Sequence, residues 1–316
     1  MNRRNQILLG VLIVQLILVT VLLWPRTAVQ SGSGDPLFTN LDQIVAFAVY
    51  DAAGTEIELR KEGDTWVLPE AGNYPCQSDQ VTTFLDKISE LQEERVVTKT
   101  QTSHDRLKVS DTAFERKIIF KWPDNSIRIL YIGTSPSYQS VHVRADGQDQ
   151  VYLATNLAAT DAGAQAANWI DTTYFAVQAD QIVQLTLVNA NGTFTLGKDE
   201  AGAWVMAELP GQALNENNVT SLVNIIAALR MIKPLGKEEK PSYGLDTPNA
   251  VLTVQTQNEA GETQSYELRV GAKDEATQSY VMASSTSPYY VRVAEYTAAN
   301  LVDRTYEDFM PVPETE

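Results

Sequence analysis

The tetrapeptide Asp42-Gln43-Ile44-Val45 occurs a second time as Asp180-Gln181-Ile182-Val183, and the sequence that follows each copy stays in step. The offset between the copies is 180 − 42 = 138 residues. Six further pairs repeat at this offset: Gly54 and Gly192, Trp66 and Trp204, Val81 and Val219, Leu107 and Leu245, Gly133 and Gly271, and Tyr152 and Tyr290. Landmarks that keep one register from residue 42 to residue 152 indicate an internal duplication.

Each repeat is predicted to begin with a meander of three strands and to continue with an amphipathic helix. In the first repeat the strands cover residues 44–50, 55–59 and 65–68, where β-branched, aromatic and alternating residues are concentrated. The helical stripe consists of Val81, Phe84, Leu85, Ile88 and Leu91, and its copy consists of Val219, Leu222, Val223, Ile226 and Leu229. An apolar stripe of this period predicts a helix that packs one face on the sheet.

A second set of strands is predicted after each helix, and turn signals such as Asp146-Gly147 join neighbouring strands into hairpins. A short helix is predicted over residues 161–169, and residues 167–174 are echoed by residues 299–306 at a different offset, 299 − 167 = 132. The fold class is therefore predicted as α+β, with two homologous lobes that each contain an antiparallel sheet and a packed helix.

An apolar segment precedes the repeats. Residues 7–24 contain only two polar side chains, Gln15 and Thr20. A helix of that length reaches about 27 Å at about 1.5 Å per residue, which is close to the thickness of the hydrocarbon core of a bilayer. We therefore expect a transmembrane helix.

Basic residues flank this segment unequally, because Arg3 and Arg4 precede it and Arg26 alone follows. The positive-inside rule predicts a single-pass protein of the cell membrane with a cytoplasmic N-terminus and extracytoplasmic lobes. A cleaved signal peptide is the alternative, since it shares the basic start. Its apolar run is shorter, however, and the exit of this segment lacks an Ala-x-Ala site.

The length of 316 residues suits two domains of ordinary size. The predicted organisation is a cytoplasmic stub and anchor at 1–26, a flexible linker at 27–36, lobe 1 at 37–176, lobe 2 at 177–310 and an acidic tail at 311–316. The net charge of −16 argues against nucleic acid as a partner, because an acidic surface repels phosphate backbones. The membrane, contacted through residues 7–24, is the partner that the sequence predicts.

Residues that could carry chemistry do not form a recognised motif. Cys76 is the only cysteine, so an intramolecular disulfide is excluded, and Ser103-His104-Asp105 are consecutive and cannot align as a triad. We predict no catalytic, cofactor-binding or metal-binding residues and no enzymatic activity. Trp66 and Trp204 are predicted to pack in the lobes, although four tyrosines could line a sugar-binding groove with them: Tyr138, Tyr280, Tyr289 and Tyr290.

The segment Tyr243-Gly244-Leu245-Asp246-Thr247-Pro248, together with the anchor, the meander that ends in Trp and the helix, resembles the bacterial domain-of-unknown-function family numbered 4340. The resemblance covers residues 37–309. The first repeat departs from it, because His104-Asp105-Arg106-Leu107 keeps only the leucine. Members of that family look like envelope proteins encoded beside ABC-transporter components of the gliding-motility type, and the resemblance implies no catalytic residues.

Three hypotheses for function follow. The first is a non-enzymatic, membrane-tethered, extracytoplasmic accessory or scaffold protein, which the resemblance associates with an ABC-transporter complex and other envelope subunits. The second is an extracytoplasmic module that binds a glycan or a peptide. The third is an uncharacterised hydrolase, because a pair of carboxylates is sufficient for the cleavage of glycosides.

Overall fold

The computed structural model describes residues 15, 30–31 and 33–311, which form two large β-sheets, four α-helices and several 3-10 turns. The first sheet has ten strands and the second has eight, and neighbouring strands pair antiparallel in both. The predicted α+β class with two sheet lobes is thereby confirmed. The predicted anchor, residues 7–24, lies outside the described residues except for Gln15.

The first sheet contains ten strands in the spatial order β1-β6-β10-β9-β8-β7-β2-β3-β4-β5. Their bounds are β1 Gln30–Ser31, β2 Ala46–Asp51, β3 Glu56–Glu62, β4 Thr65–Leu68, β5 Tyr74–Pro75, β6 Arg95–Thr98, β7 Arg116–Lys121, β8 Ile127–Ile132, β9 Ser140–Ala145 and β10 Val151–Thr155. The meander that the sequence predicts is present as β2, β3 and β4.

The second sheet contains eight strands in the order β14-β13-β12-β17-β18-β19-β20-β16, and β11 and β15 form a separate two-stranded ribbon. The bounds are β11 Thr173–Ala176, β12 Ile182–Asn189, β13 Gly192–Lys198, β14 Trp204–Met206, β15 Ala228–Arg230, β16 Lys233–Gly236, β17 Ala250–Gln257, β18 Thr263–Asp274, β19 Ser279–Ser284 and β20 Tyr290–Ala294. The ribbon joins the end of lobe 1 to the strand that follows the helix of lobe 2.

The two sheets share one strand order. The run β6-β10-β9-β8-β7-β2-β3-β4 in the first sheet has the same sequence of positions as β16-β20-β19-β18-β17-β12-β13-β14 in the second. Only β1 and β5, at the two edges of the first sheet, have no counterpart in the second sheet as described. This agreement supports the duplication that the offset of 138 residues predicts.

The long helices also correspond. The four α-helices of the described residues are α1 Ser78–Ser89, α2 His104–Leu107, α3 Glu216–Ala227 and α4 Glu295–Val302. Both ends of α1 and α3 differ by 138, since 216 − 78 and 227 − 89 give the same number. The members of the predicted stripe that lie on α3 are all buried, and those on α1 are buried except for the half-buried Leu85. The last member of each stripe, Leu91 or Leu229, is buried as well but lies beyond the end of the helix, and Leu229 belongs to β15. The shared spacing therefore reflects a shared packing face.

One hydrophobic core continues from lobe 1 into lobe 2. In lobe 1 it is centred on Phe47, Phe84 and Trp169, whose ring centroids lie 5.2 to 5.5 Å apart. In lobe 2 the ring centroids of Phe194 and Phe309 lie 5.7 Å apart. Because buried apolar area is the main stabilising contribution to folding, a shared core holds the lobes together as well as stabilising each.

The end of each repeat differs from the prediction. No α-helix spans residues 161–169, which instead include the last residue of the 3-10 turn Ala159–Asp161 and the whole of the 3-10 turn Ala166–Asn168. The predicted echo at an offset of 132 is also wrong. Gln77 N–H donates to the carbonyl oxygen of Trp169 at 2.7 Å, and Asn215 N–H donates to that of Phe309 at 2.8 Å. These contacts make Phe309 the counterpart of Trp169, beside the first turn of the helix in each lobe.

The predicted match of Tyr152 with Tyr290 is wrong by one residue. Tyr152 pairs with Val143 and lies in the main core, whereas Tyr290 packs in a smaller cluster on the other face of the second sheet. The counterpart of Tyr152 is Val291, which pairs with Met282. Side chains of a strand alternate between faces, so a shift of one residue reverses which face each side chain occupies.

The described part of the predicted linker is held by hydrogen bonds. Glu93 N–H donates to the carbonyl oxygen of Asp35 at 2.8 Å, and Leu37 N–H donates to that of Leu91 at 2.8 Å. β1 pairs with β6 just before this point. The prediction of a flexible linker therefore fails for residues 33–36, because the backbone groups of this polar stretch find partners in the chain after α1. Among the described residues, no helix is both long and apolar enough to cross a membrane.

Candidate functional site

The Tyr243 to Pro248 segment packs on the outer face of the second sheet. It follows a 3-10 turn, Pro241–Tyr243, and Gly244 adopts a left-handed conformation with φ of 64°. Tyr243 and Leu245 are buried in a small cluster, whereas Asp246 is exposed and Pro248 is half-buried. A Cβ on Gly271 would lie 2.1 Å from the carbonyl oxygen of Tyr243. The segment thus serves packing, and glycine is needed where it approaches β18.

Lobe 1 keeps this arrangement at residues that the sequence comparison missed. Leu107, Lys108 and Val109 occupy the places of Tyr243, Gly244 and Leu245, at an offset of 136 rather than 138. Lys108 is left-handed with φ of 55°, and a Cβ on Gly133 would lie 2.0 Å from the carbonyl oxygen of Leu107. The predicted equivalence of Leu107 with Leu245 is therefore wrong.

An arginine satisfies the same backbone carbonyl in both lobes, but it comes from different strands. In lobe 1 Arg144 Nε on β9 donates to the carbonyl oxygen of Val109 at 2.6 Å, and its guanidinium lies 4.6 Å from the centre of the Tyr131 ring. In lobe 2 Arg269 on β18 donates to the carbonyl oxygen of Leu245 at 3.3 Å. Each of these carbonyl oxygens therefore has a hydrogen-bond partner, which anchors the segment to its sheet in both lobes.

The two tryptophans face the sheet interior. Trp66 is buried, and its ring lies 5.3 Å from that of Phe47 in an edge-on arrangement. Trp204 is half-buried against the same core, and the ammonium group of Lys198 lies 5.4 Å from its ring centre. Both residues therefore pack in their lobes.

The four tyrosines considered for a sugar-binding groove do not converge. Tyr138 is exposed on the loop before β9, and Tyr280 is buried in the core. The ring centroids of Tyr289 and Tyr74 lie 4.7 Å apart, and those of Tyr290 and Tyr243 lie 5.5 Å apart. The aromatic groove expected for a glycan is thus not formed by these residues.

The two histidines and the cysteine are buried, and they do not come together in one site. His104 Nε2 lies 2.9 Å from the carbonyl oxygen of Asp149, and His142 Nδ1 lies 2.9 Å from Thr134 Oγ1. Burial lowers the pKa of His142 and raises the pKa of the Cys76 thiol to about 12. A thiol with so high a pKa is a poor nucleophile at neutral pH. The part of the chain that the structure describes contains no group of three His, Cys, Asp or Glu side chains placed to hold a metal ion.

A cleft of about 700 Å³ lies between the lobes and is the candidate functional site. Lobe 1 contributes the start of β3, the turn after β4 and residues 164–166. Lobe 2 contributes residues 232–235, Lys240, Tyr243, Asp274, Thr277, Ser279 and Arg292. The volume is in the range of pockets that bind small molecules and short peptides.

Backbone contacts between the lobes form one end of this cleft. A Cβ on Gly72 would lie 3.2 Å from Gly236 Cα, so the backbone of lobe 1 meets the backbone of lobe 2 here without side chains between them. Tyr289 Oη donates to the carbonyl oxygen of Asn73 at 3.1 Å, and Tyr174 Oη donates to that of Tyr289 at 2.7 Å. These contacts set the spacing of the two walls.

The lobe 1 wall is acidic. Glu56, Glu58 and Glu70 line the cleft, and Glu56 accepts a hydrogen bond from the hydroxyl group of Tyr50. Burial, this hydrogen bond and the three nearby carboxylates raise the pKa of Tyr50 to about 12, because each disfavours the phenolate. The phenol therefore remains a donor toward the acidic wall throughout the physiological range.

The lobe 2 wall is basic. Lys233, Lys240 and Arg292 line it. The guanidinium group of Arg292 is fixed by the Asp274 carboxylate at 3.4 Å and by Ser279 Oγ at 3.4 Å. Sequence reasoning missed this site because its members come from both repeats and no short motif links them. The only available signal was the run of charged residues from Lys233 to Lys240, which is compatible with any exposed loop.

Comparison with known proteins identifies one family. The family model for the Domain of unknown function (DUF4340) matches residues 66–248 and residues 204–311, and the overlap of the two segments is consistent with duplication. No curated protein and no solved structure matches the chain. Because the matched region runs from residue 66 to residue 311 of 316, the chain belongs to the DUF4340 family.

Proposed function

We propose that the chain is a non-enzymatic accessory or scaffold protein that residues 7–24 tether to the cell membrane, with both lobes outside the cytoplasm. The observation that carries the proposal is the core shared by the two lobes, which joins the 18 paired strands of the two large sheets in one body. A body of this kind suits a subunit that holds partners at a fixed distance from the membrane.

The chain enters that body at β1, which pairs with β6 at the edge of the first sheet. Five residues lie between Trp24, the end of the proposed anchor, and Gln30, so the two Cα atoms are six residue steps apart and at most about 20 Å from each other when the chain is fully extended. Lobe 1 would therefore be held close to the membrane surface. This closeness favours partners that are themselves membrane proteins, such as the subunits of an ABC transporter of the gliding-motility type.

Affinity purification of the full chain from mild detergent tests the proposal. We expect transporter or other envelope subunits to co-purify in constant ratio to the chain, as identified by mass spectrometry. A matched preparation from cells that lack the tagged chain controls for non-specific capture. Recovery of the chain alone at several detergent concentrations would contradict the role as a subunit.

The membrane topology is tested separately. Protease added to intact spheroplasts is expected to digest the lobes and to leave a short membrane-bound fragment that contains residues 7–24. Protection of the lobes would reverse the orientation. A purified chain whose first residue lies after residue 25 would instead identify the apolar segment as a cleaved signal peptide.

A second candidate function is a module that binds a glycan or a peptide, and the cleft between the lobes favours it. The lining of the cleft includes apolar residues such as Leu68 and Ala71, here called the floor, and its two walls carry opposite charge. Convergent polar groups above an apolar floor are typical of binding sites for small ligands. Saturable binding by the purified chain, abolished by bulky substitutions in the floor, would support this candidate over a purely architectural role.

A further inference from the structure

We infer that the cleft between the lobes binds a short peptide with a basic group at one end and a carboxylate at the other. The inference deepens the second candidate function, since it names the ligand class of the same cleft. It rests on three features of the described residues: the separation of charge between the walls, the absence of ion pairs that join one wall to the other, and the apolar character of the floor.

The carboxylates of the lobe 1 wall and the cations of the lobe 2 wall are not paired with each other, although Arg292 is paired with Asp274 on its own wall. None of the ion pairs between described residues joins Glu56, Glu58 or Glu70 to the basic wall. The walls are therefore held apart by the contacts at Gly72 and Tyr289 rather than drawn together. A ligand that carries both charges can bridge the gap, whereas a ligand of one charge is attracted by one wall and repelled by the other.

The basic wall suits a carboxylate. Lys233 and Lys240 are exposed and form no ion pair with another residue in the described ranges. Arg292 is the cross-strand partner of Lys233, and its side chain is 20% exposed and is oriented by Asp274. An oriented guanidinium loses less conformational entropy when it binds a carboxylate. Asp274 contacts Nη2 and Ser279 accepts from Nη1, so these two partners occupy only part of the five donors of Arg292.

The acidic wall suits an ammonium or guanidinium group. Glu56 and Glu70 form no ion pair with another described residue, and Glu58 meets only Arg60 on its own strand, at 3.3 Å. The negative charges of the three carboxylates act together at the hydroxyl group of Tyr50, so a cation bound on this wall is attracted by all three. The same carboxylates disfavour phosphate-bearing ligands, which carry two or more negative charges at neutral pH.

The floor distinguishes a peptide from a glycan. It is formed by small and aliphatic side chains, among them Ala71, Ala164, Ala166 and Pro234. The one aromatic residue of the lining is Tyr243, and its ring packs against Tyr290 at 5.5 Å. Aliphatic surface is complementary to short apolar side chains between charged ends, while no aromatic face of the lining is free to stack on a sugar ring.

The ligand does not add as a strand to the edge of the second sheet. β16 is that edge and its Pro234 lines the cleft, so the position has no backbone N–H to donate. Proline at an edge protects a sheet against further pairing. Recognition in the cleft therefore depends on side-chain charge, and we expect it to depend strongly on salt.

The test uses the full chain in detergent micelles and the tetrapeptide Lys-Ala-Ala-Glu with free ends as the probe, measured by isothermal titration calorimetry. Saturable binding is expected at low ionic strength and should weaken at about 0.5 M salt. Lys233→Ala and Lys240→Ala should each raise Kd by about two- to fivefold, as should Glu58→Gln and Glu70→Gln, the range for exposed ion pairs. Acetyl-Ala-Ala-Ala-Ala-amide, which has no charge, should bind much more weakly.

Two exposed residues outside the cleft provide matched controls. Lys121→Ala on β7 and Glu259→Gln in the turn after β17 change the net charge by the same amounts and should leave Kd unchanged. Equal weakening by the controls, or equal affinity for the uncharged peptide, would overturn the inference. Binding of chitotriose that competes with Lys-Ala-Ala-Glu would overturn the peptide assignment and retain the binding function. The absence of binding by either probe would overturn both, and co-purification of partners would still test the scaffold role on its own.

Discussion

At the scale of single residues, two glycines determine how closely the segment that packs on each sheet approaches it; this covering segment is residues 107–109 in lobe 1 and residues 243–245 in lobe 2. Gly133 follows β8, and Gly271 is the corresponding position in β18. A Cβ at either position would lie within 2.1 Å of a backbone carbonyl oxygen, of Leu107 in one lobe and of Tyr243 in the other. Backbone atoms cannot rotate away as a side chain can, so relief requires a shift of the whole segment.

We therefore expect Gly133→Ala and Gly271→Ala each to lower the free energy of unfolding by about 3 kcal/mol, at the upper end of the usual cost of overpacking. Urea denaturation followed by tryptophan fluorescence measures the change. Gly197→Ala is the control, because a Cβ there meets no atom within 4 Å and the backbone is not left-handed. If the three variants are equally stable, the close approach does not limit packing.

The buried thiol of Cys76 predicts an alkaline dependence of stability. Its folded-state pKa, about 12, is higher than its ordinary value of 9.0. Because the folded state favours the neutral thiol, this contribution to stability is fully present below about pH 9 and is lost as the pH rises toward about 12. Above pH 9 the stability advantage of the natural chain over Cys76→Ala should shrink, as measured by denaturation between pH 8 and 11.

Cys76→Ser is the control for this effect, since a hydroxyl group of similar size does not titrate in the range. It should follow the alanine variant in slope. Burial also raises the pKa of tyrosines such as Tyr131, to about 12, so their contribution to the stability of the protein falls at high pH in every variant alike. A constant difference between the natural chain and both variants would contradict the assigned role of the thiol.

At the scale of elements, α1 and α3 are copies that bury the same face. Ile88 and Ile226 occupy equivalent positions and are both 0% exposed. Thr82 and Thr220 are equivalent as well, and both are exposed. The duplication thus provides a test and its control at matched places in two helices of equal length.

Ile88→Ala and Ile226→Ala are each expected to lower the free energy of unfolding by about 2 to 5 kcal/mol, from lost burial and the cavity left behind. Because one core joins the lobes, each variant should shift a single cooperative transition rather than unfold one lobe first. Calorimetry of the two variants gives the number of transitions. Thr82→Ala and Thr220→Ala should change the midpoint little, and a separate early transition in either isoleucine variant would show that the lobes unfold independently.

The covering segment could be recognised from the sequence in lobe 2 but not in lobe 1. Tyr243-Gly244-Leu245 was recognisable because glycine marks a left-handed turn. Its counterpart Leu107-Lys108-Val109 was missed, since lysine hides the same φ and the local offset has changed by two residues. In both triplets the first and last residues are buried, the middle residue has a left-handed backbone, and an arginine donates to the carbonyl oxygen of the last residue. These shared contacts are visible only in the folded structure.

At the scale of the whole molecule, the contact of Gly72 with Gly236 sets the distance between the lobes. Gly72 has φ of 66°, and an added Cβ would lie 3.2 Å from Gly236 Cα. Gly54 has a comparable φ of 84°, but nothing lies within 4 Å of the place of its Cβ. The two positions share the backbone strain of a substitution and differ only in the contact between lobes.

Gly54→Ala is therefore expected to cost about 1 to 2 kcal/mol from the left-handed backbone alone. Gly72→Ala should cost more, and small-angle scattering should show an altered distance between the lobes in that variant only. Equal destabilisation with unchanged scattering would mean that the lobes are positioned by other contacts, such as that of Tyr74 with Tyr289.

The sequence alone determined the duplication, the α+β class, the buried face of both long helices and the family, because each depends on local period or on the spacing of identical residues. Tertiary structure decided what joins distant positions. In the folded structure Phe309 takes the position in lobe 2 that Trp169 has in lobe 1, and Tyr290 lies on the face of its sheet opposite to the one predicted. The backbone of residues 33–36 is hydrogen bonded to the chain after α1. The tertiary structure also assembled acidic residues of one repeat and basic residues of the other around one cleft, which no periodicity could encode because those residues meet only after both sheets have formed.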